Sequence, residues 1–484
     1  MADFVSAQWL AEHWLAALLL VVYTALLFYH AGLGRHVSDD MTQYYVGGRD
    51  MGGAVVGVSF FATFASTNSY IGHAGKGYDY GLPWLLLAVF IVLFTWLSWT
   101  TVAPRLRRFT SHWDALTLPD YLEARFGAGN RNLRVAAALV ILFSSLLYLV
   151  AIFKGAGSLF QQFLGVRYEV AVGITLLVVM LYTSIGGFVS VVRTDVVQGV
   201  LMLLGSVTIF YFVTRAAGGV TRLPELADAP ETAALFTLDA GLPFLVLVGI
   251  ALSGSLKLLV DPRQISRFYA LRDEASVRLG IWVAVLGIAL IQACLFPVGL
   301  YAHFLLDGVG DTDLIMPTLV NDPSVFPVYA ADFLIIAMVA AAMSSMDSVL
   351  LVAASVLYKD LVEVAHPAAH PLTWTRVGVV GLAALSALVA LRPPGGIVEI
   401  TIFSGSLYAV CFLPAILFGL HWQRGTAGAV LASMLTGVAT LLGWMALGGD
   451  RHLHEVFPAL LVSCVVYSVI AWRAEPAMTS WPGT

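Results

Sequence analysis

The chain has 484 residues, of which 59% are apolar and only 11% carry a charged side chain. Soluble domains carry roughly 25% charged residues, so this composition excludes an ordinary soluble protein and indicates that most of the surface faces lipid. The net charge of −5 at pH 7 is small and no basic run is present, which argues against nucleic-acid binding.

The first apolar stretch, 15–32, is not preceded by any Lys or Arg, and the first basic residue, Arg35, lies beyond it. A cleaved signal peptide would show a basic segment before the apolar run and small residues after it. We therefore expect a retained first span with the N-terminus outside.

A membrane-spanning helix needs about 20 mostly apolar residues, and about thirteen segments meet that requirement. In chain order they are 14–33, 54–75, 82–104, 134–164, 169–186, 187–214, 241–261, 277–304, 328–358, 372–392, 397–421, 425–447 and 455–472. The sequence thus predicts an all-α integral membrane protein, with 1–484 forming a single transmembrane domain.

The distribution of basic residues fixes the expected orientation. Of the 25 Lys and Arg residues, two lie inside spans and six fall on the outer side, which leaves 17 (25 − 2 − 6) on the inner side. The outer six are Lys76, Arg167, Arg215, Arg222, Arg392 and Arg451. Basic residues accumulate in cytoplasmic loops, so we predict a multi-pass cell-membrane protein with a cytoplasmic C-terminus.

The second span is too polar for a lipid-facing helix. It contains Thr63 and then Ser66, Thr67, Asn68 and Ser69 in succession. Such residues compete for backbone hydrogen bonds, and an unwound backbone at membrane depth is tolerated only where it lines a cavity. The alternative is a regular helix that uses small residues for close packing.

The seventh span also carries helix-weakening residues, with Ser253, Gly254 and Ser255 followed by Lys257 and then by Asp261 and Pro262. We expect a second unwound segment around the two serines. The second and seventh spans are five apart, and paired interrupted spans indicate an inverted-repeat transporter. The repeats would be 54–214 and 241–421, preceded by an extra segment at 1–53 and followed by two helices at 425–472.

The ninth span presents Ala341, Ser344, Ser345 and Ser348 at helical spacing, which places them on one face. Neutral oxygen ligands suit a hard monovalent cation, and carbonyls of an unwound helix would complete its coordination. A serine face alone more often serves packing, so the inference depends on the broken second span.

Ionisable residues inside the membrane mark functional sites. Asp195 lies in the sixth span, Asp347 beside the serine face and Asp261 at the end of the seventh span, while Lys154 and Lys257 lie within spans. Asp195 alternatively pairs with Arg193. Each lysine binds an anionic substrate, extends to an interface or neutralises one of the three acids.

Five motifs in order resemble the sodium:solute symporter family between about Tyr45 and Leu420. They are Tyr45–Asp50 (YVGGRD), Gly72–Tyr78 (GHAGKGY) with Gly81, Tyr182–Phe188 (YTSIGGF) with Thr194–Gln198 (TDVVQ), Arg267–Ala270 (RFYA), and the segment from Ser344 and Ser345 to Tyr358–Asp360.

The resemblance implies a LeuT-like fold of two inverted five-helix repeats and a sodium site between two core helices. By position, the sodium ligands would be the carbonyls of Ala62, Ala65 and Ala341 and the hydroxyls of Ser344 and Ser345. A second sodium or proton site would use Asp195, Ser344, Asp347 and Ser348. Where some relatives have a hydroxyl, this chain has Asp347, so that site would be more acidic.

The sequence and the resemblance together predict a sodium-coupled symporter, not an enzyme, with Na⁺ as its coupling ion. Substrate-binding residues would be Ser66, Thr67, Asn68, Ser69, Lys154, Lys257 and Asp261. The lysines favour a small carboxylate or other organic anion; a proline-like amino acid and a sugar are the alternatives. Rival classes are a transporter-like sensor and a membrane enzyme using Asp39 and Asp40. The oligomeric state is left open.

Overall fold

The computed structural model describes residues 7–37, 41–127, 129–238, 241–365 and 370–474, and these residues are mostly helical. Asp39 and Asp40, the acids considered for a membrane enzyme, lie outside the described residues.

The described part of the first half of the chain contains ten α-helices. They are α1 Ala7–Glu12, α2 Trp14–Val37, α3 Met41–Val46, α4 Gly53–Phe64, α5 His73–Tyr80, α6 Leu85–Leu97, α7 Ala103–His112, α8 Leu118–Phe126, α9 Arg131–Leu164 and α10 Tyr168–Ala216. Single π-helical turns, Asn68–Gly72 and Ser98–Val102, lead directly into α5 and α7.

Twelve more lie in the ranges that the structure describes in the second half. They are α11 Leu223–Asp228, α12 Phe244–Val260, α13 Pro262–Tyr269, α14 Glu274–Leu295, α15 Val298–Ala302, α16 Ile315–Val320, α17 Val328–Val356, α18 Glu363–Ala365, α19 Pro371–Ala390, α20 Ile397–His421, α21 Ala427–Ala446 and α22 Val456–Arg473. A π-helical segment, Leu357–Val362, connects α17 to α18.

The described residues include 11 continuous helical segments long and apolar enough to cross a bilayer, and one bent pair raises the number to 12. The longest of them, α10, has 49 residues and contains a kink at Gly187, where φ is 64° and ψ is −171°. A helix rises 1.5 Å per residue, so α10 is roughly twice as long as the hydrocarbon core is thick. The count of thirteen spans stays a prediction that depends on α10 crossing twice.

Two helices are interrupted, as the sequence predicts, but the second break lies elsewhere than expected. The first separates α4 from α5 with a 57° bend. The expected unwinding at Ser253–Ser255 is wrong, because α12 continues through these residues to Val260. The chain breaks at Asp261, where Pro262 disfavours helical geometry for the preceding residue and the Asp261 carboxylate caps Arg263 N–H at 3.0 Å.

The centre of the molecule is formed by α17 and α20, which are almost wholly buried, whereas α2, α19 and α22 expose most of their surface. Large apolar side chains such as Val21, Leu388 and Leu461 are exposed on these outer helices. That distribution suits a lipid-facing periphery around a protein-packed centre. The repeat boundaries 54–214 and 241–421 remain predictions.

Candidate functional site

The break between α4 and α5 frees backbone carbonyls at the centre of the molecule. Helix α4 ends at Phe64, its final backbone bond runs from Ala65 N to Phe61 O at 2.9 Å, and Ala65 is extended. The carbonyls of the last helical turn therefore lack an intrahelical donor. The Ser66 hydroxyl accepts a hydrogen bond from Asn68 N at 3.2 Å, which helps the chain to restart. The predicted break is confirmed at Ala65 and Ser66, whereas Asn68 and Ser69 already belong to the π-helical turn that follows.

The serine face of α17 packs directly against this break. The Ser345 hydroxyl donates to the Thr63 carbonyl at 3.1 Å, so α17 is fastened to the last turn of α4. All five positions expected to surround a sodium ion are buried: Ala62, Ala65, Ala341, Ser344 and Ser345. Their carbonyl and hydroxyl oxygens are hard, uncharged ligands, so the residues at this junction fit a monovalent cation.

Asp195, on α10, is fully buried beside the same junction. Its carboxylate accepts hydrogen bonds from Ser344 at 2.5 Å, from Ser59 at 2.6 Å and from Thr63 at 3.4 Å. These contacts bring together residues from α4, α10 and α17 that are far apart in the sequence. The expected proximity of Asp195 and Ser344 is confirmed by this geometry.

The cation that neutralises Asp195 is Arg267, which sequence reasoning did not identify as a site residue. Its Nη2 lies 3.1 Å from Asp195 Oδ2 and donates to the Ser348 hydroxyl, and both ion-pair side chains are fully buried. The alternative pairing of Asp195 with Arg193 is wrong, because Arg193 is exposed. In the sequence, Arg267 stands out only as the first residue of the RFYA motif; the signal that could identify it is the need of a buried acid for a cationic partner.

Asp347 does not join this cluster. One of its oxygens accepts a hydrogen bond from Thr183 at 2.5 Å, and the other is buried without a hydrogen-bond partner in the described part of the chain. Of the four residues expected at a second cation site, Asp195, Ser344 and Ser348 share one network, while Asp347 points to the first half of α10.

Lys154 and Asp261 are each neutralised by a partner that the sequence did not indicate. Lys154 Nζ lies 2.7 Å from Asp313, so the expectation that it pairs with Asp195, Asp347 or Asp261 is wrong. Asp261 forms an ion pair with Arg263 at 2.6 Å. Neither residue offers a free charge to a substrate in this conformation.

Lys257 differs from both, because within the described residues it is buried without an ion pair. Only 5% of the residue is exposed, and its Nζ lies 5.4 Å from the centre of the Phe64 ring and 5.6 Å from that of Tyr148. Among the described residues, no carboxylate lies within ion-pair distance of the ammonium group. Phe64 is the residue at which α4 ends, so the lysine lies beside the helix break.

The four polar residues at the break are also buried: Ser66, Thr67, Asn68 and Ser69. Thr67 Oγ1 and Asn68 Oδ1 have no hydrogen-bond partner within the described ranges. Buried polar atoms are normally satisfied, so unpartnered ones at a helix break are suited to receive groups from a ligand.

Comparison of the sequence with known proteins finds one family and relatives that match over most of the chain. Residues 44–437 match the sequence model of the Sodium:solute symporter family. The chain is 27% identical over 463 residues to the sodium/pantothenate symporter of Haemophilus influenzae, with 93% of this chain and 94% of the relative covered. It is 29% identical over 463 residues to the osmoregulated proline transporter OpuE of Bacillus subtilis, with 91% and 92% covered.

Among solved structures, the chain resembles a Na⁺-coupled sialic acid symporter described in a substrate-bound outward-open state. The TM-score is 0.83 at 18% identity, and 96% of this chain and 99% of the other are covered. At this identity the likeness concerns the fold, which is the LeuT-like arrangement expected from the motifs.

Proposed function

Because this chain belongs to the sodium:solute symporter family, we propose that it is a sodium-coupled symporter that imports a small organic carboxylate by alternating access. Family membership makes it a multi-pass membrane transporter rather than an enzyme. The choice of a carboxylate goes further and rests on the residues at the helix break.

The sodium ion is assigned to the junction of α4 and α17. The carbonyls of Ala62, Ala65 and Ala341 and the hydroxyls of Ser344 and Ser345 would be its ligands. The Ser345–Thr63 hydrogen bond, which joins α17 to the last turn of α4, supports this proposal. The ligands carry no ionisable proton, so they favour sodium over a proton as the coupling ion. An ion bound here stabilises the state in which the two helices are in contact, which supplies the differential binding that coupling requires.

The proposed substrate class rests on one observation, the burial of Lys257 without an ion pair among the described residues. An ammonium group buried without a counter-ion is costly, and its burial is offset when an anion binds beside it. The aromatic rings of Phe64 and Tyr148 stabilise the cation meanwhile, at distances suited to cation–π attraction. A substrate carboxylate would complete the ion pair.

The same residues favour a carboxylate with a neutral tail over a zwitterionic amino acid. A zwitterion also brings an ammonium group, which needs an acidic partner, but Asp261 is held by Arg263 and Asp195 by Arg267. The unpartnered oxygens of Thr67 and Asn68 suit hydroxyl or amide groups instead. Of the solutes named for the relatives, pantothenate fits this description better than proline.

The proposal is tested by uptake into proteoliposomes under a sodium gradient, with a potassium gradient as the reference. Labelled pantothenate, proline and a neutral sugar represent the three substrate classes. We expect sodium-dependent uptake of the carboxylate. Lys257→Met should lower its kcat/KM by at least about thirtyfold, since truncating one partner of a buried charge pair costs roughly 2–5 kcal/mol.

Lys154→Met is the matched control, because it removes a lysine that is engaged by Asp313 and leaves Lys257 unchanged. It should reduce carboxylate uptake much less than Lys257→Met. Equal uptake in sodium and potassium would contradict sodium coupling. Sodium-dependent uptake that is insensitive to Lys257→Met would contradict the carboxylate assignment alone.

A further inference from the structure

A guanidinium group lies where the second cation of the site is expected. Arg267 Nη2 contacts the Asp195 carboxylate at 3.1 Å and the Ser348 hydroxyl, and its Nε donates to the Ser59 hydroxyl at 3.2 Å. Asp195 and Ser348 were two of the four ligands expected for a second sodium ion. A third, Ser344, bonds the other oxygen of Asp195.

The arginine is held there by its own helix. Its Nη1 donates to the Arg263 carbonyl at 2.8 Å and lies 3.4 Å from the Ser266 hydroxyl, both within α13. Each of the three guanidinium nitrogens therefore has a partner, and the side chain is fully buried. Because every nitrogen of the planar guanidinium is hydrogen-bonded inside the protein, the charged group has a fixed position in the site and does not extend to solvent.

Within the Asp195–Ser344–Ser348 network, the negative charge is already balanced, so this network needs no metal ion for neutrality. Arg267 neutralises Asp195, and Arg263 on the same helix neutralises Asp261. Asp347, the additional acid of the expected second site, accepts a hydrogen bond from Thr183 and keeps its other oxygen unpartnered among the described residues, outside the hydrogen-bond network of Asp195. A sodium ion entering between Asp195 and Ser348 would meet a fixed positive charge that shares its ligands.

We infer that Arg267 is the resident cation of the second site, so that this transporter binds one sodium ion per cycle, at the α4–α17 junction. The inference rests on the proposed sodium-coupled function and adds its stoichiometry. It also assigns Arg267 a positioning role: α13, the inner half of the second broken helix, is tied to α10 through Asp195 and to α17 through Ser348.

The test is the number of ²²Na⁺ ions bound per chain by the purified full-length protein, together with the sodium-to-substrate ratio from reversal potentials in proteoliposomes. We expect one ion for the native chain and for Arg267→Lys, which keeps the charge. Arg267→Met should raise the number to two, because Asp195, Ser344 and Ser348 then need a cation. The melting temperature of Arg267→Met should also rise more steeply with sodium concentration than that of the native chain.

Arg263→Met is the matched control. It removes a neighbouring guanidinium of α13, but that group pairs with Asp261, and the ion pair of Asp195 is unchanged. This variant should still bind one sodium ion. Two ions bound by the native chain would overturn the inference while leaving sodium coupling intact, and this measurement does not depend on any variant folding. One ion bound by a folded Arg267→Met would also overturn it. Absence of sodium binding to the native chain would instead contradict the proposed function itself.

Discussion

Ser345 is the residue at which the sodium hypothesis is most directly testable. Its hydroxyl joins α17 to the Thr63 carbonyl at 3.1 Å, and it is one of five oxygen donors assigned to the ion. Ser345→Ala removes one of these oxygens and leaves little space, so the fold should persist. We expect the sodium concentration for half-maximal uptake to rise about tenfold, which corresponds to about 1.4 kcal/mol.

Ser355→Ala on the same helix provides the comparison. Its hydroxyl donates to the Leu351 carbonyl of its own helix at 2.7 Å and contacts none of the proposed ligands. Sodium dependence should be unchanged in this variant. An unchanged sodium dependence in Ser345→Ala would remove that hydroxyl from the site.

At the residue scale, the sequence predicted the groups whose role depends on local chemistry. The four consecutive Ser, Thr and Asn residues at 66–69 compete for backbone hydrogen bonds, so the break could be predicted there. The partner of Asp195 could not, because Arg193 is two residues away and Arg267 is separated from it by 72 positions. Ion pairing in a packed core depends on which helix faces which, and composition and spacing do not contain that information.

At the scale of helices, Gly187 is the residue at which α10 bends, so it determines whether α10 is one straight helix or two helical halves joined by a kink. Its φ of 64° with ψ of −171° is a conformation that residues with a Cβ rarely adopt. Gly187→Ala should therefore lower the free energy of unfolding by about 1–3 kcal/mol and lower the Tm in detergent. The variant should also lose transport, since the kink positions Asp195 in the second half of α10.

Gly173→Ala in the first half of α10 is a suitable control. The glycine is exposed, and a Cβ added to it would meet no atom within 4 Å. Replacing a helical glycine by alanine is favourable by roughly 0.5–1 kcal/mol, so this variant should be as stable as the native chain or slightly more so. A destabilisation equal to that of Gly187→Ala would mean that the kink is not the cause.

The two helix breaks show how far element boundaries can be predicted. Polar residues drew attention to Ser253–Ser255, yet α12 passes through them. The Ser406 hydroxyl of α20 donates to the Ser253 hydroxyl at 2.9 Å, so Ser253 takes part in the contact between two helices. The break at Asp261 follows from Pro262, whose effect on the preceding residue is purely local. Covalent geometry was therefore the more dependable signal, and side-chain polarity the weaker one.

At the scale of the whole molecule, the fold class could be predicted from composition and from the number of apolar stretches. Which helices form the buried centre could not. Lipid contact requires an apolar surface, so α2, α19 and α22 are recognisable from the sequence alone. The central helices α17 and α20 are just as apolar, and only the packed structure shows that they are buried.

The orientation of the whole molecule in the membrane is a prediction that the helix arrangement leaves open. It rests on the excess of basic residues in the inner segments, most densely at Arg105, Arg107 and Arg108. Cys294 and Cys411 are buried, so replacing the more accessible Cys464 by alanine gives a suitable background. One cysteine introduced at a time, at the exposed positions Glu231 and Ser111, would then report the two sides. In right-side-out vesicles, Glu231→Cys should react with a membrane-impermeant maleimide, and Ser111→Cys only after permeabilisation. The reverse pattern would invert the topology and would place the entry path for sodium on the opposite face of the α4–α17 junction.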